Sequence, residues 1–191
     1  LAKVQALEAA TTSIKLSQQD MAFSLRGAVG KYATFADWLD PPVVDALAAA
    51  LQRGVQVELV VSGHHARSAT GNPYANLGGV TTKAALVEWF RNLAGMTSAR
   101  LQAMVARLHV KELHTVRTNF NPWKQGLVEC VQANHAKVYI IDDAVAYVGS
   151  DNLYPCSLQE FGMLIEDDDA VHGLLDAYWT KLWDNAHPVP S

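Results

Sequence analysis

A strand, a helix and a second strand follow one another near the start of the chain, and this unit constrains the fold most. SIKLSQQD, at residues 13–20, alternates apolar and polar side chains, as a strand with one buried face does. VQVELVVSG, at residues 55–63, is almost continuously apolar, which is typical of a central strand covered on both faces. Between them, PPVVDALAAALQRG begins with prolines and ends with glycine, the usual punctuation of a helix. The unit predicts two parallel strands joined by a crossover helix, and therefore an α/β fold.

Further helices and short strands are predicted along the rest of the chain. Helical patterns cover residues 1–13, 81–95 and 97–109, and short strands are expected around 110–117 and 127–131. The tail after residue 159 reads as one strand followed by one helix. Asp167–Asp169 lie at the start of that helix, where its dipole favours negative charge.

Composition limits the class of protein. The chain has 191 residues, 50% of them hydrophobic and 18% charged, with a net charge of −4, so it can bury one sizeable core. The mild acidity argues against a general nucleic-acid binder, which usually carries a basic excess. No apolar run reaches the roughly 18 residues of a membrane span. The chain begins at Leu1 within a predicted helix, without an initiator Met or an export signal, so we expect a fragment or processed piece.

The two cysteines, Cys130 and Cys156, are too few for a disulfide scaffold and lack the spacing of metal ligands. If Asp142 and Asp143 form a hairpin turn, positions whose numbers sum to about 285 lie opposite each other. The two cysteines meet that condition. A cross-strand pair and two unrelated thiols are therefore both open.

The stretch NHAKVYIIDDAVAYVGSDN, at residues 134–152, reads as a buried hairpin that carries polar side chains. Residues two apart in a strand share a face, so His135, Lys137 and Tyr139 point one way. A strand that is buried on both faces has no structural use for a histidine and a lysine there. These two side chains are therefore candidates for chemistry.

The return strand brings Gly149, Ser150 and Asn152 back beside His135 and Lys137. A lysine ammonium with amide and hydroxyl groups could hold the non-bridging oxygens of a phosphate. A histidine beside them can act as nucleophile or proton carrier near neutral pH. Gly149 is the expected residue where backbone approaches a ligand closely. The constellation predicts phosphoryl transfer without a metal or other cofactor.

The spacing His135-x-Lys137-x4-Asp142-x6-Gly149-Ser150-x-Asn152 resembles the HKD signature of the phospholipase D superfamily. LSQQD, DALAAALQRGVQVELVVS and GSDNLYPCSLQEFG are similar to the second half of the secreted bacterial phospholipases D, in which two half-domains form one enzyme. The resemblance implies an α-β-α sandwich with a mixed sheet. It also implies that residues 1–191 are a single half-domain with one motif.

The resemblance implies roles for the motif residues. One histidine of such an enzyme attacks phosphorus to give a phosphohistidine, and the other protonates the leaving alcohol. In the bilobal bacterial enzymes the first half supplies the nucleophile, which makes His135 the general acid and base. Lys137 and Asn152 would bind the phosphoryl oxygens, and Ser150 would add a hydrogen bond.

Further site residues follow from the same resemblance. Glu160 of LYPCSLQEFG stands where the family has the acid that orients the histidine. Asp142, although part of the catalytic signature, is better interpreted as a structural acceptor that fixes the hairpin. Gln18, Gln19 and Asp20 of SQQD are expected near the mouth of the site, where they would contact substrate.

The implied function is that of phospholipase D: hydrolysis of the distal phosphodiester of a glycerophospholipid such as phosphatidylcholine, with transphosphatidylation to alcohols. Its expected partners are phospholipid at a membrane or micelle surface and an N-terminal HKD half-domain, or a second copy of this chain. The resemblance points to a secreted bacterial enzyme that does not bind nucleic acid. The alternatives are a homodimeric phosphodiesterase nuclease, disfavoured by the net charge of −4, and a non-catalytic phospholipid-binding half.

Two other histidine-containing stretches carry weaker signals. HVKELHTV, at residues 109–116, begins like a second motif, but Val116 stands where the signature needs an aspartate, so we interpret it as structural. His64 and His65 follow a predicted strand at its carboxyl end, where ligands of α/β proteins gather. A head-group contact and a solvated loop are both open there.

Overall fold

The computed structural model describes residues 2–22, 39–63, 77–121, 125–154 and 159–190. In 114–121 and 127–133 only the backbone is described. The helices within these ranges are α1 Ala2–Ala9, α2 Pro41–Arg53, α3 Gly78–Arg91, α4 Ser98–Val105, α5 Asp168–Leu174 and α6 Thr180–Asn185. A π-helical turn, Leu175–Trp179, joins α5 to α6.

The strands are β1 Ser13–Gln18, β2 Gln56–Ser62, β3 Leu108–Asn121, β4 Gly126–Ala133, β5 Lys137–Ile141, β6 Val145–Gly149, β7 Gly162–Ile165 and β8 His187–Pro188. They form one sheet in the order β4-β3-β2-β1-β5-β6-β7, with β8 added beside β3. β1, β2 and β3 are parallel, and the other pairs are antiparallel. The sheet is therefore mixed, as expected.

The predicted crossover unit is confirmed. β1 pairs in parallel with β2, and α2 connects them. Pro41 and Pro42 occupy the first turn of α2, where a missing amide proton costs nothing. Gly54 ends the helix with a φ of 98°, a conformation that side chains disfavour.

Two apolar cores cover the two faces of the sheet. The larger packs α1 to α4 against one face, around Leu16, Leu47 and Leu59. The smaller packs the C-terminal helical segment against the other, around Val138 and Trp179. The predicted α-β-α sandwich is confirmed.

Two sequence expectations need correction. β3 and β4 are longer than predicted because they pair with each other from His114–Ala133 to Asn121–Gly126. The final helix contains the π-helical turn, which periodicity did not indicate. Cys130 lies in β4, where it pairs with Arg117 of β3, and Cys156 lies outside the described residues, so the cross-strand cysteine pair and two unrelated thiols both stay open.

Candidate active site

The β5–β6 hairpin forms as predicted, and its turn is built on two aspartates. Asp142 and Asp143 both have positive φ, 54° and 56°, which Asp tolerates better than most residues and which suits a tight hairpin. Val138 lies opposite Val148. Residues near the start of β5 therefore meet residues that follow β6.

Lys137 is a buried cation at the open end of this hairpin. Lys137 is only 5% exposed. It is the first residue of β5 and lies opposite Gln18 of β1. The ammonium Nζ donates a hydrogen bond to the carbonyl oxygen of His135 at 2.9 Å. A lysine ammonium is a compact positive charge, which is suited to binding an anion.

His135 is exposed and lies just before β5. Partial burial of the ring, and then the charge of Lys137, lower the pKa of His135 below its usual value. The lower pKa favours the neutral form of this imidazole over the charged form. A neutral imidazole can attack phosphorus or accept a proton from water.

Gln18, which lies opposite Lys137, and Asn152 are two buried amide side chains. Asn152 is 6% exposed and Gln18 is fully buried. Gln18 Oε1 accepts a hydrogen bond from the Leu153 backbone amide at 3.3 Å. Among the described residues, Gln18 Nε2 and Asn152 Oδ1 are buried polar atoms without a hydrogen-bond partner. Such atoms cost about 1–3 kcal/mol each, which a bound polar ligand would recover.

The structure gives Ser150 and Gly149 a different explanation from the one that the sequence suggested. The Ser150 hydroxyl accepts from the Phe161 amide at 3.0 Å and donates to the Phe161 carbonyl at 3.2 Å. A Cβ at Gly149 would collide with the Tyr147 hydroxyl and with the backbone of Phe161 and Gly162. Close packing against β7 therefore explains this glycine without a ligand, and both residues tie the end of β6 to the start of β7.

Asp142 lies at the other end of the hairpin from Lys137. Its carboxylate accepts hydrogen bonds from the backbone amides of Thr11, Thr12 and Ser13 and from both threonine hydroxyls. Burial acts to raise the pKa of Asp142, but these donors outweigh it and hold the pKa well below its usual range. The contacts agree with a structural acceptor and separate Asp142 from the group around His135.

Gln19 and Asp20 connect strand ends and a helix. The Gln19 carbonyl accepts from the Ser62 amide at 3.0 Å, which joins the ends of β1 and β2. Asp20 is 4% exposed, and its carboxylate accepts from the backbone amides of Leu77 and Met21 at 2.7 and 2.8 Å. Burial raises the pKa of Asp20 to about 6. Its carboxyl group anchors the start of α3, and the expected contact with substrate stays a prediction.

Glu160 lies near Tyr147, whose ring stacks on Tyr139 with centroids 4.4 Å apart. Burial raises the pKa of Tyr147, a hydrogen bond from the Asp151 amide opposes that rise, and the charges of Asp151 and Glu160 add to it. The imidazole of His135 makes no hydrogen bond or ion pair with any described residue. The pairing of Glu160 with His135 therefore stays a prediction.

Sequence reasoning missed Lys3, which it treated as surface. Its ammonium donates to the carbonyl oxygen of Asn152 at 3.0 Å and to Asp151 Oδ1 at 3.2 Å, with Asp40 at 3.9 Å. Helix α1 thus holds the backbone that carries Asn152. No sequence signal could have found this contact, because it joins residues 149 positions apart.

Of the other two histidine stretches, only residues 109–116 fall within the part of the chain that the structure describes. Residues 109–116 lie in β3 and lack the signature aspartate, and His64 and His65 fall outside the described residues. Within the described ranges, no three His, Cys, Asp or Glu side chains are grouped to hold a metal ion. No helix there is long and apolar enough to cross a bilayer.

Comparison with known proteins identifies the family. Residues 5–183 match the family described as cardiolipin synthase, PLD-like domain. Phospholipase D from Streptomyces antibioticus is 31% identical over 145 residues, which cover 71% of this chain and 24% of that protein. The chain therefore spans about a quarter of the length of this curated relative.

Solved structures share the fold at low identity. Nuc from Salmonella typhimurium, described as a phospholipase D family member, has a TM-score of 0.57 at 18% identity, covering 100% of this chain and 90% of Nuc. NucT from Helicobacter pylori has a TM-score of 0.58 at 13% identity, with coverages of 98% and 88%. Phosphatidylserine synthase from Haemophilus influenzae Rd KW20 has a TM-score of 0.57 at 13% identity, with coverages of 97% and 35%. The chain belongs to the phospholipase D superfamily.

Proposed function

We propose that this chain supplies one half of a phospholipase D active site. The substrate is a glycerophospholipid such as phosphatidylcholine, presented at a membrane or micelle surface. The bond that breaks joins phosphorus to the head-group oxygen, and the products are phosphatidic acid and the free head group. An acceptor alcohol in place of water gives transphosphatidylation.

One observation carries the proposal: a buried ammonium, Lys137, lies beside an exposed imidazole whose pKa is lowered. Lys137 neutralises a phosphoryl oxygen. Among the described residues, the unpartnered Gln18 Nε2 is a donor for such an oxygen, and the unpartnered Asn152 Oδ1 is an acceptor for a hydroxyl group. Fixed charges and dipoles of this kind stabilise charge that develops at phosphorus. The 31% identity to a phospholipase D supports the choice of a phospholipid over other phosphodiesters.

The proposed reaction has two steps and needs two histidines. One imidazole forms a P–N bond as the P–O bond to the head group breaks, and the other gives the leaving oxygen its proton. Water, losing a proton to that second imidazole, then cleaves the P–N bond. We assign the acid and base role to His135 and the nucleophile to a partner half, which is an N-terminal half-domain or a second copy.

The second candidate is a homodimeric phosphodiesterase nuclease. One observation favours it: Nuc and NucT match this chain over most of both lengths, 90% and 88% of theirs. A nuclease needs a basic groove for the nucleic-acid backbone, and the net charge of −4 opposes that.

We also propose that the phospholipase is a secreted protein, as are the bacterial enzymes that the sequence resembles.

Substrate and assembly can be tested together. We would measure choline release from phosphatidylcholine micelles and cleavage of a single-stranded oligonucleotide, both in EDTA, for the full-length protein and for residues 1–191 alone. The proposal predicts choline release by the full-length protein and intact oligonucleotide. Cleavage of oligonucleotide by a dimer of residues 1–191, without choline release, would establish the nuclease instead.

A further inference from the structure

Asn134 is a buried polar side chain that the HKD signature does not include. It directly precedes His135 and is 5% exposed. Its amide Nδ2 donates to Ser17 Oγ at 3.0 Å, to the Gln18 carbonyl at 3.0 Å and to the Val60 carbonyl at 3.2 Å. One side chain thus joins the segment before β5 to β1 and β2, at the strand ends nearest the site.

Asn134 also makes hydrogen bonds that fix the backbone on both sides of His135. Asn134 Oδ1 accepts a hydrogen bond from the Ala136 amide at 3.2 Å, which is the contact of an Asx turn. The carbonyl oxygen of Asn134 accepts from Ser62 Oγ at 2.6 Å. The backbone on both sides of the histidine is therefore held by buried hydrogen bonds, which are strong and costly to lose.

The imidazole itself has no comparable support. Within the described part of the chain, the ring of His135 makes no hydrogen bond, and the contact from Lys137 reaches its backbone carbonyl at 2.9 Å. The place of the ring relative to the Lys137 ammonium therefore depends on the backbone conformation of residues 134–136. Asn134 is the side chain that determines this conformation.

We propose that Asn134 is a positioning residue: through the Asx turn and the links to β1 and β2, it sets where the imidazole of His135 stands in the site. This inference rests on the proposed function for its effect on rate, but the placement of the ring can be measured without substrate. Misplacing a reacting group by about 1 Å can cost about 100-fold in rate.

The test compares Asn134→Ala with a core variant, Leu47→Ala, which is also buried and lies in α2. The ring Cε1–H signal of His135 is followed by NMR and assigned by its loss in His135→Ala. We expect Asn134→Ala to shift or broaden this signal and to lower kcat for choline release by about 100-fold with KM little changed. Leu47→Ala should leave the signal and kcat near wild type wherever it is folded.

A conservative variant separates positioning from folding. In Asn134→Ser the hydroxyl can still accept from the Ala136 amide, so we expect the His135 signal and part of kcat to return relative to alanine. An unmoved signal in Asn134→Ala, or a serine variant no better than alanine, would overturn the inference. If His135→Ala keeps wild-type activity, the proposed function fails, whereas the NMR comparison still decides the role of Asn134.

Discussion

The hydrogen bonds at Asp142 predict that replacing this residue lowers the stability of the fold, whereas replacing its neighbour Asp143 should not. Asp142→Asn keeps the turn, because asparagine also tolerates positive φ, and keeps Oδ1, which accepts from Thr12 and Ser13. It replaces Oδ2, which accepts from the Thr11 amide at 2.9 Å and the Thr11 hydroxyl at 2.7 Å. Two hydrogen bonds at about 0.5–1.5 kcal/mol each give a loss of about 2 kcal/mol.

Urea unfolding of the two variants measures this effect. Asp143 makes one ion pair with Lys15 at 2.5 Å and is 46% exposed, so Asp143→Asn should stay within about 0.5 kcal/mol of wild type. The folded pKa of Asp142 is lowered from 3.8. The stability that its carboxylate contributes is therefore present above pH 3.8 and is lost as pH falls through the folded pKa. The difference between wild type and Asp142→Asn should therefore shrink below about pH 4.

Activity provides the second half of this prediction. Asp142 stands five residues along the strand from Lys137, about 16 Å away at the usual rise, so kcat of folded Asp142→Asn should match wild type. Equal stability of the Asp142 and Asp143 variants, or a stability difference that does not change down to pH 2, would refute the reasoning about this carboxylate.

Three more predictions concern substitutions of ionisable residues that are buried or half-buried. Lys137→Met should abolish choline release while circular dichroism and the unfolding midpoint stay close to wild type; a rate near wild type would remove this lysine from the site. Lys3→Met should lower kcat about tenfold, the effect of one hydrogen bond of about 1.4 kcal/mol to the Asn152 carbonyl, whereas Lys83→Met, at an exposed contact with Pro190, should not. The folded pKa of Asp20 is raised from 3.8 to about 6, so the folded state favours the protonated carboxyl group. The stability that Asp20 contributes is therefore full below pH 3.8 and is lost as pH rises through 6. The stability of wild type relative to Asp20→Asn should thus fall by about 2 kcal/mol between pH 4 and pH 8 in urea unfolding, and an unchanged difference would contradict this.

Much of the fold could be predicted because its signals are local. The β1–α2–β2 unit is specified by the alternation in β1, the prolines at the start of α2 and Gly54 at its end. The hairpin turn is specified by Asp142 and Asp143, whose side chains tolerate the backbone conformation that the turn needs.

The remaining features depend on contacts between distant parts of the chain. Lys3 reaches the backbone of Asn152, and Asn134 binds β1 and β2, without any periodic pattern that would reveal either contact. Gly149 was explained by a ligand because its packing against β7 could not be seen in the sequence.

The central claim, that His135 belongs to a metal-independent phospholipase site, is tested most directly by one comparison. We would measure the initial rate of choline release from phosphatidylcholine micelles in EDTA, for the full-length protein and its His135→Ala variant, at equal folded concentration. The account predicts that wild type turns over and that the variant shows no release above background. Release by the variant at a rate near wild type would contradict it.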